Sequence, residues 1–473
     1  MKRFLKWAFG IWGVVTIALA IWYGPLISQV YHFNPWVSEA DFGEPANALE
    51  AQQQDLQYLA TVLDYDRSFA PQAREEFGTR IDKLIAANTE LSKAEFYLET
   101  QALMALADNA HTSSDPVTAF RQFNRSGLDV YRFADGYFVV RAQQALADHV
   151  GKQLVSIEGR PVEDVLAALE IYSGGPKARR DLISLYFLRS PALLHAAGLA
   201  ASPDVLTVTL ANSEGAAQTV ELTALSDAAE TEFSYRHPFT TLSPWPLSDE
   251  AGEWVRTLDG DAEGVSLPLT HAGSDTATSS TRLGEGVYVR SNYLADAEWN
   301  PVAKELPATL DGAPEGGFAF IVLDLRWNPG GDLSNAIPFA KKAGEALAQD
   351  GKAYVIVSPQ TFSAAIVAAA LMKQHVPGRT LIIGEPMGDR PQFWAERGTS
   401  FVLPNAGYNI SYATGYHDWE KGCDYSTPYC FPPSERDAAD IGTLALDEQV
   451  MPTYAQYAAG DDPVLDWVLA REQ

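Results

Sequence analysis

Between Gly286 and Gly384 the chain alternates between two textures, and this alternation constrains the fold more than any other feature. GVYVRSNYL (286–294) and GGFAFIVLDLRW (316–327) read as strands, residues 332–349 as a helix, and AYVIVS (353–358) as a buried strand. SAAIVAAALMKQH (363–375) then reads as a helix and TLIIG (380–384) as another strand. Strands alternating with helices of this length predict an α/β layered structure with parallel pairing. In such layers, reacting groups gather at the carboxyl ends of the strands.

The preceding chain is organised differently. Residues from about Glu50 to Ala107 read as helices, the last opening with a capping box of Ser92 and Glu95 and stopping before Asp108-Asn109. From about Val130 the pattern turns to short strands, VYRFADGYFVV and KQLVSIEG, then a helix from near Val162. A helical insert, RRDLISLYFLRSPALLHAAG, precedes further strand pattern over 205–225, and a polar passage from about Ser226 to Thr281 marks the next boundary.

At the start, Lys2, Arg3 and Lys6 precede an uncharged run from Trp7 to Ile27. At about 1.5 Å per residue this run reaches roughly the thickness of a bilayer's hydrocarbon core. The flanking charge predicts a single-pass anchor over 1–30 with an extracytoplasmic body, or a cleaved signal with release to the periplasm if Ala18-Leu19-Ala20 is processed. Charged residues number 34 basic and 61 acidic, so 34 − 61 = −27, which argues against nucleic acid as a partner. The two cysteines, Cys423 and Cys430, exclude a disulfide framework and a Cys-rich zinc site; a local disulfide is expected in an oxidising compartment. No metal-binding or nucleotide-binding motif occurs, and no cofactor is implied.

Three places could carry chemistry. Ser363 follows a strand and a short loop and opens an alanine-rich helix, where backbone N–H groups and the helix dipole stabilise an oxyanion. The Ala364 amide is a candidate donor; the competing reading of Ser363 is an ordinary N-cap. In LRWNPGGD (325–332), Gly330 or Gly331 could supply a second donor, or simply form a tight turn. His111, in ALADNAHTSS, follows a helix C-terminus and is a candidate base, or a surface histidine.

Taken in order, DNAHT, GRPVEDVL, LRWNPGGD, TFSAA and GEPMGD resemble the tail-specific or C-terminal-processing serine peptidases, in particular their tricorn-like and retinoid-binding-protein-like branch. The resemblance runs from about residue 90 to the closing PTYAQYAAGDDPVLDWVL. It implies a crotonase-like (ClpP-like) α/β core over 231–473, a PDZ-like module with a helical insert over 128–230, and a helical region over 31–127. It also implies Ser363 as nucleophile, His111 as base, and Gly330 or Gly331 with Ala364 as oxyanion hole. In the DNAHT segment Ala110 stands where the family has glycine. The family's Ser-Lys branch places a lysine where this chain has Asp389 and Arg390, and a guanidinium does not deprotonate. Lys373 reads as a solvated charge. For the third member the family pattern lands on Asp440, with Asp437 and Glu435 as rivals. The expected activity is a serine endopeptidase acting on polypeptides by acyl transfer. The alternative is a non-catalytic peptide or small-ligand binding protein on the same scaffold. Oligomeric state is not specified by the sequence.

Overall fold

The computed structural model describes residues 32–114, 122–225, 241–246, 253–271, 276–296, 301–424 and 426–473. The apolar segment 1–30 lies outside them. Among the described residues no helix is long and apolar enough to cross a membrane.

Three longer helices lead the described chain, α1 (Ala48–Ala60), α2 (Pro71–Ala87) and α3 (Lys93–Ala105), with a single helical turn at Val62–Tyr65 between the first two. The capping box is present: Ser92 Oγ accepts from the Glu95 N–H, and the Glu95 carboxylate accepts from the Ser92 N–H. An antiparallel sheet follows, in the order β1 (Leu128–Phe133), β2 (Gly136–Gln143), β3 (Gln153–Ile157), β4 (Val205–Ala211), β5 (Ala217–Thr223). Helices α4 (Val162–Leu169) and α5 (Lys177–Leu188) are inserted between β3 and β4. Within the polar passage, Trp254–Arg256 pairs with β2, so part of the expected linker belongs to this sheet. The helices and the antiparallel sheet share one apolar core, which also takes in Phe401, Leu403, Tyr408, Ile410 and Tyr412 from far along the chain.

The second sheet carries β6 (Thr278–Leu283), β7 (Gly286–Ser291), β8 (Phe318–Asp324), β9 (Leu347–Val357), β10 (Thr380–Gly384) and a short β11 (Glu448–Gln449), side by side in that order. Every pairing except β6 with β7 is parallel. Period-two alternation divides its side chains. Val287, Val289, Ile321, Leu323, Val355 and Ile382 join one core with helices α6 (Ala336–Ala346) and α7 (Ala364–His375). Tyr288, Phe320, Val322, Tyr354, Ile356 and Ile383 meet Val464, Leu465 and Val468 of the C-terminal helix on the other face. Such two-sided burial explains why these strands read as continuous apolar runs. The protein is thus a mixed α/β molecule with several sheets.

One boundary differs from the sequence reading. The expected helix 332–349 begins as a tight turn at Leu333–Asn335, becomes α6 only at Ala336, and gives way to β9 at Leu347. The ladder between β8 and β9 shifts register between Phe318 and Phe320, where Gly351 passes against the Phe318 carbonyl. A bulge of this kind carries no signature in apolar periodicity.

Candidate active site

The serine segment is built from backbone outward. The loop after β9 is tied to the loop after β8: Thr361 Oγ1 donates to the Leu325 carbonyl (2.9 Å) and the Phe362 N–H to the Asn328 carbonyl (3.1 Å). Fully buried Asn328 organises the turn, its amide donating to the Ser291 carbonyl (3.0 Å) and its Oδ1 accepting from the Gly330 N–H (2.9 Å). The Leu294 N–H donates to the Gly330 carbonyl (2.8 Å). Gly330 lies at φ 108°, and a Cβ there would stand 2.8 Å from the Ser363 Cβ and 3.1 Å from the Ala364 nitrogen. Only glycine lets the turn approach the serine this closely.

Ser363 occupies the position before α7 with φ 55° and ψ −123°, and its side chain makes no capping hydrogen bond. A serine selected as a cap would sit in the extended region and accept from the helix. Here a non-glycine residue is held with positive φ, which costs on the order of 1–3 kcal/mol, and its hydroxyl is left uncommitted. Among the described residues, neither the Gly331 nor the Ala364 N–H meets an acceptor, whereas that of Gly330 is occupied by Asn328. Of the two glycines proposed from sequence, Gly331 therefore has the free donor.

His111 lies in the turn after α3. Its ring stacks on Phe362, the residue before Ser363, at 4.3 Å between centroids, and on Phe393 at 5.3 Å. Phe393 stacks in turn on His417 at 4.6 Å, and the Arg179 guanidinium caps the outer face of Phe362 at 4.4 Å. His111 Nδ1 is 3.3 Å from Asp389 Oδ2, an ion-pair separation without the alignment of a full hydrogen bond; Nε2 has no partner among the described residues. Burial dominates both groups, pulling the imidazole down to about 3 and pushing the Asp389 carboxyl up to about 7. The His417, Arg179 and Arg397 charges lower His111 further, while the Arg390 N–H and the Arg179 and Arg390 charges moderate the rise at Asp389.

The turn is clamped from several directions. The Arg390 guanidinium donates to the Asp108 carbonyl (2.7 Å) and to both oxygens of its carboxylate. Thr112 Oγ1 donates to buried Asp66 (2.8 Å), and the Trp394 N–H to Asn109 Oδ1 (3.3 Å). Ala110, the departure from the family's glycine, is accommodated because a partner glycine lies opposite. A Cβ on Gly175 would stand 2.7 Å from the Ala110 methyl.

The carboxylate expected at Asp440 is not at this place. Asp440 is exposed and accepts the Gly442 N–H, while Asp437 pairs with Arg436. Their segment is drawn along Glu420, whose carbonyl accepts from Ile441 and whose carboxylate accepts from Leu444, so it does not reach His111. The acid beside His111 is Asp389, read from sequence only as a replacement for a lysine. The usable signal was its place just beyond the carboxyl end of β10. Lys373 is solvent-facing and donates to the Thr443 carbonyl (2.8 Å). Cys423 and Cys430 form a disulfide.

No family model matches the chain, and no curated protein matches it in sequence. Solved structures do. Mature CPAF in complex with lactacystin aligns with a TM-score of 0.55 at 12% identity, over 90% of this chain and 98% of that one. The photosystem II D1 C-terminal processing protease aligns at 0.36 and 15% identity, over 87% and 98%. The tricorn protease aligns at 0.35 and 12% identity, over 89% of this chain and 36% of that one. The chain has the fold of mature CPAF.

Proposed function

We propose that the chain is a serine peptidase of the tail-specific class. Ser363 Oγ attacks a peptide carbonyl carbon and passes its proton to His111 Nε2. The oxyanion that forms is held by the Gly331 and Ala364 N–H groups. Collapse breaks the C–N bond, the leaving amine takes the proton from His111, and a water activated by His111 then hydrolyses the acyl-enzyme. Asp389 faces Nδ1 and stabilises the imidazolium. The carrying observation is Ser363 itself, a strained and uncapped serine at the start of α7, packed against the glycine turn at Gly330. In this proposal the parallel sheet is the crotonase-like core and the antiparallel sheet the PDZ-like module, which would present polypeptide to the site.

A serine-directed fluorophosphonate should label the wild type at Ser363 and leave Ser363→Ala unlabelled, with hydrolysis of unfolded polypeptide lost in that variant. Equal turnover in the two proteins would assign the activity elsewhere. Absent labelling and absent hydrolysis in the wild type would favour a binding protein. The proposal extends to an extracytoplasmic location, carried by the Lys2, Arg3 and Lys6 flank and the Cys423–Cys430 disulfide. Thiol trapping in the native compartment should find both cysteines oxidised; two alkylated thiols would remove that extension.

A further inference from the structure

A cavity of about 260 Å³ lies between β1, α5 and the two loops that deliver Ser363 and Asp389. Its walls include Tyr131 from β1, Leu182 and Leu185 from α5, Pro359 from the serine loop, and Pro386 from the Asp389 loop. Ligand pockets for whole drug-sized molecules run to roughly 300–1,000 Å³, so this cavity suits a single side chain. Its position follows from the chain: Pro359 is four residues before Ser363 and Glu385 four before Asp389. Arg179, on the same helix as Leu182, stacks on Phe362.

Four charged side chains line the cavity, Arg132, Lys177, Asp181 and Glu385. At the rim, Arg132 pairs with Asp181 (3.6 Å), and Lys177 with Asp181 (2.6 Å) and Glu170 (2.9 Å). Asp181 and Glu170 thus hold both cations, and Glu170 also takes Arg180 (3.3 Å). Glu385 also lines the cavity, and among the described residues its carboxylate has no hydrogen-bond or ion-pair partner. Burial pushes it up to about 7, and the Arg132 and Arg326 charges lower it only from beyond ion-pair distance. Glu385 is only partly buried, and a cation seated against its unpartnered carboxylate would offset what desolvation it has.

We propose that this cavity is a substrate subsite for a lysine or arginine side chain, with apolar walls along its alkyl stem and Glu385 as its counter-ion. The assignment rests on the peptidase reading for its substrate, a polypeptide, but on the cavity for its selectivity. Digestion of a mixed peptide library, with products identified by mass spectrometry, should show basic residues enriched about tenfold at one fixed position relative to the cleaved bond. Glu385→Gln should flatten that enrichment, and Glu385→Lys should turn it toward Asp and Glu. Three peptides carrying lysine, norleucine or glutamate at that position should also bind Ser363→Ala protein in the order lysine, norleucine, glutamate.

Cleavage with no basic enrichment, or enrichment unchanged in both Glu385 variants, would overturn the subsite while leaving the peptidase reading in place. If the wild type cleaves nothing, the binding arm uses peptides carrying the three residues centrally. Lysine-selective binding lost in Glu385→Gln would then uphold the subsite and sink the peptidase reading. Absence of selective binding in that case would overturn the subsite as well.

Discussion

Between Leu325 and Ala364, what shapes the serine side of the site comes from adjoining strands of one parallel sheet. Leu325, Asn328 and Gly330 are fastened to Thr361, Phe362, Ser291 and Leu294. The turn bearing His111 is fastened by Asp66, Gly175, Arg390 and Trp394, residues separated by up to 328 of 473 positions, 394 − 66. The serine side is therefore fixed once neighbouring strands pair. The histidine side is fixed only when the N-terminal helices, the inserted helix α5 and the loop after β10 have all docked. Substitutions on the two sides should consequently fail in different ways, by lost chemistry in one case and by lost alignment in the other.

The largest effect expected on the histidine side is at the ion pair. His111→Ala should lower turnover on the order of 10⁴-fold, and Asp389→Asn about 10³–10⁴-fold, with folded protein in both cases. The pH profile separates their roles. His111 is held neutral down to about 3, so its own protonation does not change across the working range, whereas Asp389 gains its proton below about 7. Turnover should therefore fall as pH drops through about 7, and this limb should disappear from the residual activity of Asp389→Asn. Stability should move oppositely at Asp389. Its folded value of about 7 exceeds the unfolded 3.8, so the folded state binds the proton more tightly, and the stabilisation present at low pH is lost as pH rises through 7. Asp389→Asn, measured by thermal unfolding at pH 8, should be at least as stable as wild type. An acid limb unchanged in Asp389→Asn would detach Asp389 from catalysis.

What the sequence disclosed follows the same division. Ser363, Ala364 and the glycine turn were legible because each lies just after an apolar strand, and a parallel sheet brings consecutive strand ends together. The sequence could not choose between Gly330 and Gly331, since that depends on which N–H the Asn328 side chain occupies. His111 was legible as a type in a turn, but its aromatic neighbours Phe362 and Phe393 come from distant segments. Asp440 was reached by counting a family spacing through the loop closed by Cys423 and Cys430. The geometry instead brings in the residue beyond β10, where sequence distance from His111 is 278 positions, 389 − 111. The core beneath the N-terminal helices was missed for a similar reason. Tyr58 stacks on Phe401 at 4.5 Å, a pairing that no local periodicity encodes.

A smaller effect should distinguish docking from chemistry. Arg390 and Asp108 are both substantially exposed, at 42% and 61%, so their ion pair is screened and contributes about 1 kcal/mol or less to stability. Yet three hydrogen bonds from Arg390 hold the turn that aims His111. Arg390→Ala should therefore lower kcat about three- to tenfold with KM nearly unchanged, and Arg390→Lys should recover part of the loss. The pH limb should move upward from about 7, since the Arg390 charge that holds the Asp389 carboxyl down is lost. A kcat equal to wild type in Arg390→Ala would show that the aromatic stack and the Asp66 and Trp394 clamps align the ring without it.

The smallest effects belong to the C-terminal strap, and they complete the contrast by their absence. Asp440 is exposed, and the bond its carboxylate accepts from the Gly442 N–H at 3.1 Å can be reproduced by an asparagine oxygen. Lys373 donates to the Thr443 carbonyl three residues beyond Asp440, and the same strap is independently tied to Glu420 through Ile441 and Leu444. Removing either side chain leaves that tie in place, so Asp440→Asn and Lys373→Ala should each stay within about twofold of wild-type turnover and within about 0.5 kcal/mol of its stability. Steady-state kinetics and thermal unfolding of the two variants check this. A hundredfold loss in Asp440→Asn, with Asp389→Asn remaining active, would transfer the orienting carboxylate to the strap. The same loss in Lys373→Ala, with His111→Ala remaining active, would replace the histidine mechanism by a lysine one while leaving Ser363 as nucleophile.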